Sequence, residues 1–208
     1  MLHAARLIFE IIGTIAFAIS GAMLAIHKHM DALGVTILGL TTATGGGIVR
    51  DLLIGTTPPS AFTDPRYAII AIVTSIVVFI PYVRRAFDLH EKGLHVPIHL
   101  MDTLGLGVFT VVGVSIAHET IPNASFFMAV FVSAVGAVGG GVMRDMMAGT
   151  TPFIFVKHFY ACAVLIGAMV CEALWAPLGD VVAMTAGAVV VIILRLLAAH
   201  YHWQLPRA

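Results

Sequence analysis

The stretch GGGIVRDLLIGTTP begins at Gly45, and GGGVMRDMMAGTTP begins at Gly139, 94 residues later, with nine of fourteen positions identical. The shared positions are three glycines, Arg-Asp and Gly-Thr-Thr-Pro, while the rest exchange Ile, Val, Leu, Met and Ala. Apolar packing alone does not demand that agreement, because such side chains substitute for one another at small cost. Any fold of this chain must therefore accommodate a glycine triplet and an Arg-Asp pair twice, in apolar surroundings.

Those surroundings read as a membrane. The 208 residues are 60% hydrophobic and 11% charged, with a mean hydropathy of +1.02, whereas a soluble domain carries roughly a quarter charged residues. A bilayer core takes about 20 apolar residues per helix. Seven runs qualify, at 7–26, 32–54, 67–83, 98–117, 124–148, 158–175 and 181–197. The predicted fold is all-α and integral to the membrane, one domain over 1–208. Breakers punctuate it at Pro58-Pro59, Asp64-Pro65, Pro122-Asn123, Pro152 and Pro177, and only the polar stretch 84–95 resembles a linker. Arg6 ahead of an apolar run imitates a signal peptide, but Glu10 interrupts the run and the segment has a later counterpart, so it reads as a true first span.

The repeat extends beyond the glycines. Glu10, Gly13, Phe17 and Gly21 match Asp102, Gly105, Phe109 and Gly113 at a shift of 92. Each copy, 5–84 and 97–176, then holds three spans, and an odd number makes the second copy enter from the opposite face. The expected architecture is seven transmembrane helices, as two inverted three-helix repeats plus a C-terminal helix at 179–201. Inverted repeats are common among membrane transporters, with the pathway at the repeat interface. Lys and Arg set the orientation. Arg6, Arg50 and Arg66 fall on one side, and Lys28, Arg84, Arg85, Lys92, Arg144, Lys157, Arg195 and Arg207 on the other. That asymmetry places the N-terminus outside and the C-terminus in the cytoplasm, in the inner (plasma) membrane.

Candidate functional residues follow from the same repeat. The triplets Gly45, Gly46, Gly47 and Gly139, Gly140, Gly141 lower helix stability by about 1 kcal/mol per glycine, and permit a bend that exposes backbone carbonyls. Such backbone is tolerated only against protein or a water-filled cavity. Small residues also serve close helix packing, but a triplet followed by charges, duplicated in inverted copies, favours a permeation pathway. Arg50, Asp51, Arg144 and Asp145 lie about one turn beyond the triplets. Intramembrane charges face a cavity or interior and take partners. The topology predicts Glu10 with Arg50 and Asp102 with Arg144, one pair toward each mouth. The plainer alternative leaves the acids in first turns, suited to the helix dipole, and the arginines reaching for headgroups. Thr56, Thr57, Thr150 and Thr151 offer hydroxyls to a permeant ion or simply belong to a helix-stopping turn. Ser20, Ser115 and Ser133 are further lining candidates.

The remaining features carry less. His27, His29, His90, His95, His99, His118, His200 and His202 fall at interfaces or loops without metal-ligand spacing, so no metal site and no cofactor are expected. Cys162 and Cys171 read as packing residues. Gly179, Ala183 and Gly187 form a small-residue stripe suited to helix packing or a subunit contact. No basic run exceeds two residues, which argues against nucleic-acid binding. No catalytic grouping or phosphate-binding fingerprint is present, so the chain does not read as an enzyme.

With GGG-x-x-R-D in the second and fifth of seven spans, the chain resembles the trimeric intracellular cation (TRIC) channels and their prokaryotic homologues, which overlap the bacterial glycine transporter domain family. The resemblance implies a homotrimer with a pore in each protomer, helices two and five kinked at the glycines, and passage of monovalent cations, chiefly potassium and possibly sodium. The leading expectation is a potassium channel whose carboxylates attract cations. Arg50 and Arg144 oppose that unless paired. The runner-up is a secondary transporter of a small neutral amino acid such as glycine, which would use both signs of charge. A non-transporting scaffold would leave the doubled charges without a purpose.

Overall fold

A computed structural model describes residues 2–86, 95–156, 159–201 and 203. His90, Lys92, Lys157, His202, Arg207 and the start of the sixth expected span at His158 lie outside the described residues. Among the described residues there are helices and no strand: α1 (Leu2–His27), α2 (Ala32–Leu53), α3 (Ser60–Thr63), α4 (Pro65–Phe79), α5 (Pro81–Ala86), α6 (His95–Thr120), α7 (Phe126–Met147), α8 (Phe153–Val156), α9 (Tyr160–Leu178) and α10 (Asp180–His200). The six longest, α1, α2, α6, α7, α9 and α10, are long and apolar enough to cross a bilayer. The protein is a multi-pass membrane protein.

The expected third span, 67–83, is not one helix. Pro81 has no N–H to continue the ladder and pushes the preceding residue out of the helical region. Ile80 accordingly sits at φ −60°, ψ 127°, and α4 stops at Phe79 after 15 residues. At 1.5 Å per residue that is about 22 Å, short of the ~30 Å hydrocarbon core. At its other end Pro65 occupies the first turn and the Asp64 carboxylate accepts from Arg66 N at 3.1 Å. The Arg66 guanidinium beside it holds the Asp64 carboxyl below its usual range. The break expected at Pro177 is also displaced, since α9 runs to Leu178 and ends at Gly179, φ +79°.

Helices α2 and α7 are built alike. Asp31 accepts from Gly34 N at 2.8 Å and Ser125 from Met128 N at 3.2 Å, capping their N-termini. Both run as α-helix through their glycine triplets. Both end in a Schellman turn on a left-handed glycine. Gly55 (φ +78°) donates to Leu52 O and Thr56 N to Asp51 O at 2.8 Å. Gly149 (φ +65°) donates to Met146 O and Thr150 N to Asp145 O at 2.9 Å. The repeated Gly-Thr of the sequence is this turn.

Helices α1, α2 and α4 pack on one another, as do α6, α7 and α9. The two groups meet along α1–α6 and α2–α7, and α10 lies against α9 and α6. At the α2–α7 crossing the backbones touch. A Cβ on Gly46 would stand 2.1 Å from Gly136 O, and one on Gly140 would stand 2.3 Å from Thr42 O. The α1–α6 crossing is reciprocal: a Cβ on Gly105 would strike the Phe17 ring at 2.1 Å, and one on Gly13 the Phe109 ring at 3.0 Å. The two rings stack at 5.2 Å. The matched Gly and Phe of the two copies thus interlock. Of the small stripe, Ala183 is buried and Gly187 faces Cys171, Gly167 and Val111 inside the chain, whereas Gly179 is exposed and precedes α10.

Not every glycine in a triplet has the same role. A Cβ on Gly47 would meet nothing nearer than Arg50 Nη2 at 3.6 Å. Gly46→Ala is expected to lower stability by about 1–3 kcal/mol through overpacking. Gly47→Ala is expected to leave it unchanged or raise it by up to about 1 kcal/mol through helix propensity. Thermal unfolding of the two variants in detergent checks the contrast.

Candidate functional site

Two clusters of charge form at the ends of α2 and α7. In the first, Arg50 Nε and Nη2 lie 2.9 and 2.7 Å from Asp51 Oδ1. The other Asp51 oxygen accepts from Ser60 N at 2.8 Å and from the Ser60 hydroxyl, so the carboxylate also starts α3. Glu10 accepts from the Tyr67 hydroxyl and lies 3.6 Å from Arg6 Nε, while Arg6 reaches across to Glu119 on α6. The expected Glu10–Arg50 ion pair is therefore replaced by two others. Arg6 stands one helical turn before Glu10, at the i,i+4 spacing that favours a pair, and Asp51 holds Arg50.

The second cluster bears out its expected pair. Arg144 Nη1 lies 2.7 Å from Asp102 Oδ1 and 2.6 Å from Ser20 Oγ, and its Nε lies 2.8 Å from Asp145 Oδ1. Asp145 Oδ2 accepts from Phe153 N at 2.9 Å, as Asp51 does from Ser60. The Tyr160 hydroxyl lies 3.4 Å from Asp102 Oδ1. Arg195 of α10 approaches Asp102 Oδ2 at 3.8 Å and covers the Tyr160 ring at 4.5 Å. Asp102, Arg144 and Asp145 are fully buried. Gly141 makes room for the group, since a Cβ there would stand 2.9 Å from the Tyr160 hydroxyl. Charges this deep stand only when paired and hydrogen-bonded.

The two clusters differ in access. The first opens on a cavity of ≈ 370 Å³, measured out to its open mouth and lined by Glu10, Thr14, Ala43, Thr44, Gly47, Arg50, Ser60, Ala61, Tyr67 and Phe109. Of the expected site residues only Glu10, Gly47 and Arg50 line it. Gly45, Gly46, Gly139 and Gly140 lie in helix contacts, with Met143 Sδ 2.5 Å from the Cβ position of Gly45. Thr56 and Thr150 close the Schellman turns, and Thr57 and Thr151 are exposed. The hydroxyls in the cavity are instead those of Thr14, Thr44, Ser60 and Tyr67. Ser20 and Ser133 are buried and bonded to Arg144 and Thr110 O, and Ser115 is buried on α6. His118 pairs with Glu172 at 2.8 Å and stacks on Trp175. No group of three or more metal-ligating side chains forms among the described residues.

Sequence reasoning missed Tyr67, Tyr160, Ser60, Phe153 and Arg195. The tyrosines had a signal: Tyr67-Ala68 recurs as Tyr160-Ala161 at a shift of 93, one residue off the glycine register. Arg195 had another, as the one Lys or Arg of an apolar helix.

The glycine transporter family matches residues 7–82 and 99–176, both copies of the repeat. The chain belongs to that family. The UPF0126 inner membrane protein YadS of Escherichia coli K12 is 36% identical to it over 201 residues, covering 95% of this chain and 93% of that protein. Among solved structures, one on conductance through TRIC cation channels is 39% identical with a TM-score of 0.83, covering 97% of this chain and 96% of the other. A TRIC orthologue from Rhodobacter sphaeroides is 28% identical with a TM-score of 0.85, covering 95% and 98%. This glycine transporter family member is a homologue of the TRIC channels.

The difference in burial yields a test. Asp102→Asn removes a charge from a sealed cluster and is expected to cost about 3–5 kcal/mol. Glu10→Gln keeps a partner for Tyr67 at a wetter position and is expected to cost about 1 kcal/mol. Thermal unfolding in detergent ranks the two.

Proposed function

We propose that the chain is a cation channel, conducting potassium, and sodium as a second permeant ion, through a path within each protomer between the two halves of the repeat. The observation that carries this reading is the open cavity beside Glu10. Its wall offers one carboxylate and four hydroxyls, the oxygen ligands that suit a partly dehydrated monovalent cation. Each of the two arginines that would otherwise oppose cations is answered by a carboxylate: Arg50 by Asp51, and Arg144 by Asp102 and Asp145. Ion pairs linked to the lining residues Glu10 and Arg50 set Arg6 and Arg50 against Glu10, Asp51 and Glu119, and the neighbouring Asp64–Arg66 pair adds no net charge. With all five ionised, that is one net negative charge, a field that draws cations in.

The likeness to solved TRIC channels supports the same reading, and with it further parts of the architecture. We infer seven crossings, α4 being a short one, arranged as inverted repeats over 5–84 and 97–176 with the last helix at 179–201. The glycine triplets then mark where α2 and α7 bend around the path. We also infer a homotrimer in the inner membrane with the N-terminus outside. Arg50, Arg144 and Arg195 are buried and drop out of the loop count. The asymmetry survives, with Arg6 and Arg66 on one side and Lys28, Arg84, Arg85, Lys92, Lys157 and Arg207 on the other.

A secondary carrier for a small neutral amino acid is the second reading. An open cavity with both signs of charge on its wall is what one state of an alternating-access carrier presents. Potassium flux and radiolabelled glycine uptake in proteoliposomes separate the two. The channel reading expects potassium flux without saturable glycine uptake, and altered flux in Arg144→Ala. Saturable glycine uptake without potassium flux, abolished in Arg144→Ala, would replace it with the carrier.

A further inference from the structure

Ser60 and Phe153 occupy the same station in the two halves. Each donates its backbone N–H to the outer oxygen of the aspartate that follows the arginine, Ser60 to Asp51 at 2.8 Å and Phe153 to Asp145 at 2.9 Å. Their side chains do opposite things. Ser60 bonds Asp51 and leaves the cavity open beside Arg50. Phe153 lays its ring 4.8 Å from the Arg144 guanidinium and 5.1 Å from the His99 ring. Other cavity positions change in the same direction. At the shift of 92, Thr14 corresponds to Leu106, and at 94, Thr44 corresponds to Val138; both counterparts are buried. Ala61 corresponds to Ile154 at 93. Polar or small groups that wet the first half are replaced by larger apolar ones in the second. The charges stay, and there Asp102, Arg144 and Asp145 are fully buried.

We propose that Phe153 is the apolar plug that shuts water out of the Asp102–Arg144–Asp145 cluster, which makes the second half the closed gate of the path. The gating role rests on the channel reading above; the plug itself does not. Phe153 packs against the apolar cluster that holds Leu106 and Val138, and ions do not cross a dry apolar constriction. The cluster behind it adds no net pull on a cation, because Arg144 and Arg195 balance Asp102 and Asp145. Exchange of one ring for a small polar side chain is then enough to wet the cluster.

The test reads water access and flux separately. Ser20→Cys, in a Cys162→Ala, Cys171→Ala background, puts a thiol against Arg144 as a reporter. In detergent-purified protein, Phe153→Ser and Phe153→Ala are expected to raise its modification by a cationic, membrane-impermeant thiosulfonate about tenfold or more, and Phe153→Leu to leave it low. Equal rates in all four proteins, each monodisperse on gel filtration, would overturn the plug. Should the Phe153 variants fail to fold, Ser60→Phe with a thiol reporter from Thr44→Cys runs the converse, and an unchanged rate there would overturn it too. Potassium efflux from liposomes forms the second arm. Efflux raised along with modification supports the gate, whereas raised modification with no efflux in any variant would sink the channel reading and leave the plug standing.

Discussion

At its closest points the contact between α2 and α7 is backbone against backbone. Gly46 faces the carbonyl of Gly136, and Gly140 faces that of Thr42, so two helices meet backbone to backbone at the centre of the chain. In a bilayer, where burying apolar surface between helices gains little, such close approach is a principal source of association. It also sets the geometry of everything polar. Once α2 and α7 are fixed at this spacing, Arg50 lies along Gly136, and Arg144 one turn beyond its own triplet meets Ser20 and Asp102. A methyl group at Gly46 would displace both clusters together.

The same logic explains why the sequence is written twice. Duplicated residues here are each other's partners: Phe17 fills the space over Gly105, and Phe109 that over Gly13. Duplicated tyrosines hold duplicated acids, Tyr67 on Glu10 and Tyr160 on Asp102. What diverges between the copies is the filling around this shared frame. One half keeps hydroxyls and an opening. The other carries Leu106, Val138 and Phe153, together with Arg195 contributed by the helix outside the repeat. A common skeleton has been tuned to be wet at one end and dry at the other.

Much of this was legible from residues alone, and the failures have physical causes. Helices α1, α2, α6, α7 and α10 follow from runs of apolar residues bounded by turns, and the Asp102–Arg144 pair follows from the repeat. The third span was drawn past its end because 67–83 is apolar apart from Thr74 and Ser75, while the single N–H missing at Pro81 stops α4 at Phe79. The Glu10–Arg50 pair was misjudged because shared exposure to one cavity does not decide which partner lies nearest; Arg6 and Asp51 do. Phe153 was invisible as a site residue because a one-residue difference after the shared Pro58 and Pro152 shifts it out of register with Ser60. Only the hydrogen bonds to Asp51 and Asp145 restore the match.

The central claim is that the wall beside Glu10 selects positive ions even though it carries Arg50. The most direct test is the reversal potential of purified protein in a planar bilayer under a potassium chloride gradient. Neutralised arginines and a net negative mouth predict unitary currents reversing close to the potassium equilibrium potential. Reversal near the chloride equilibrium potential would mean that Arg50 and Arg144 act as free positive charges, and would contradict the claim.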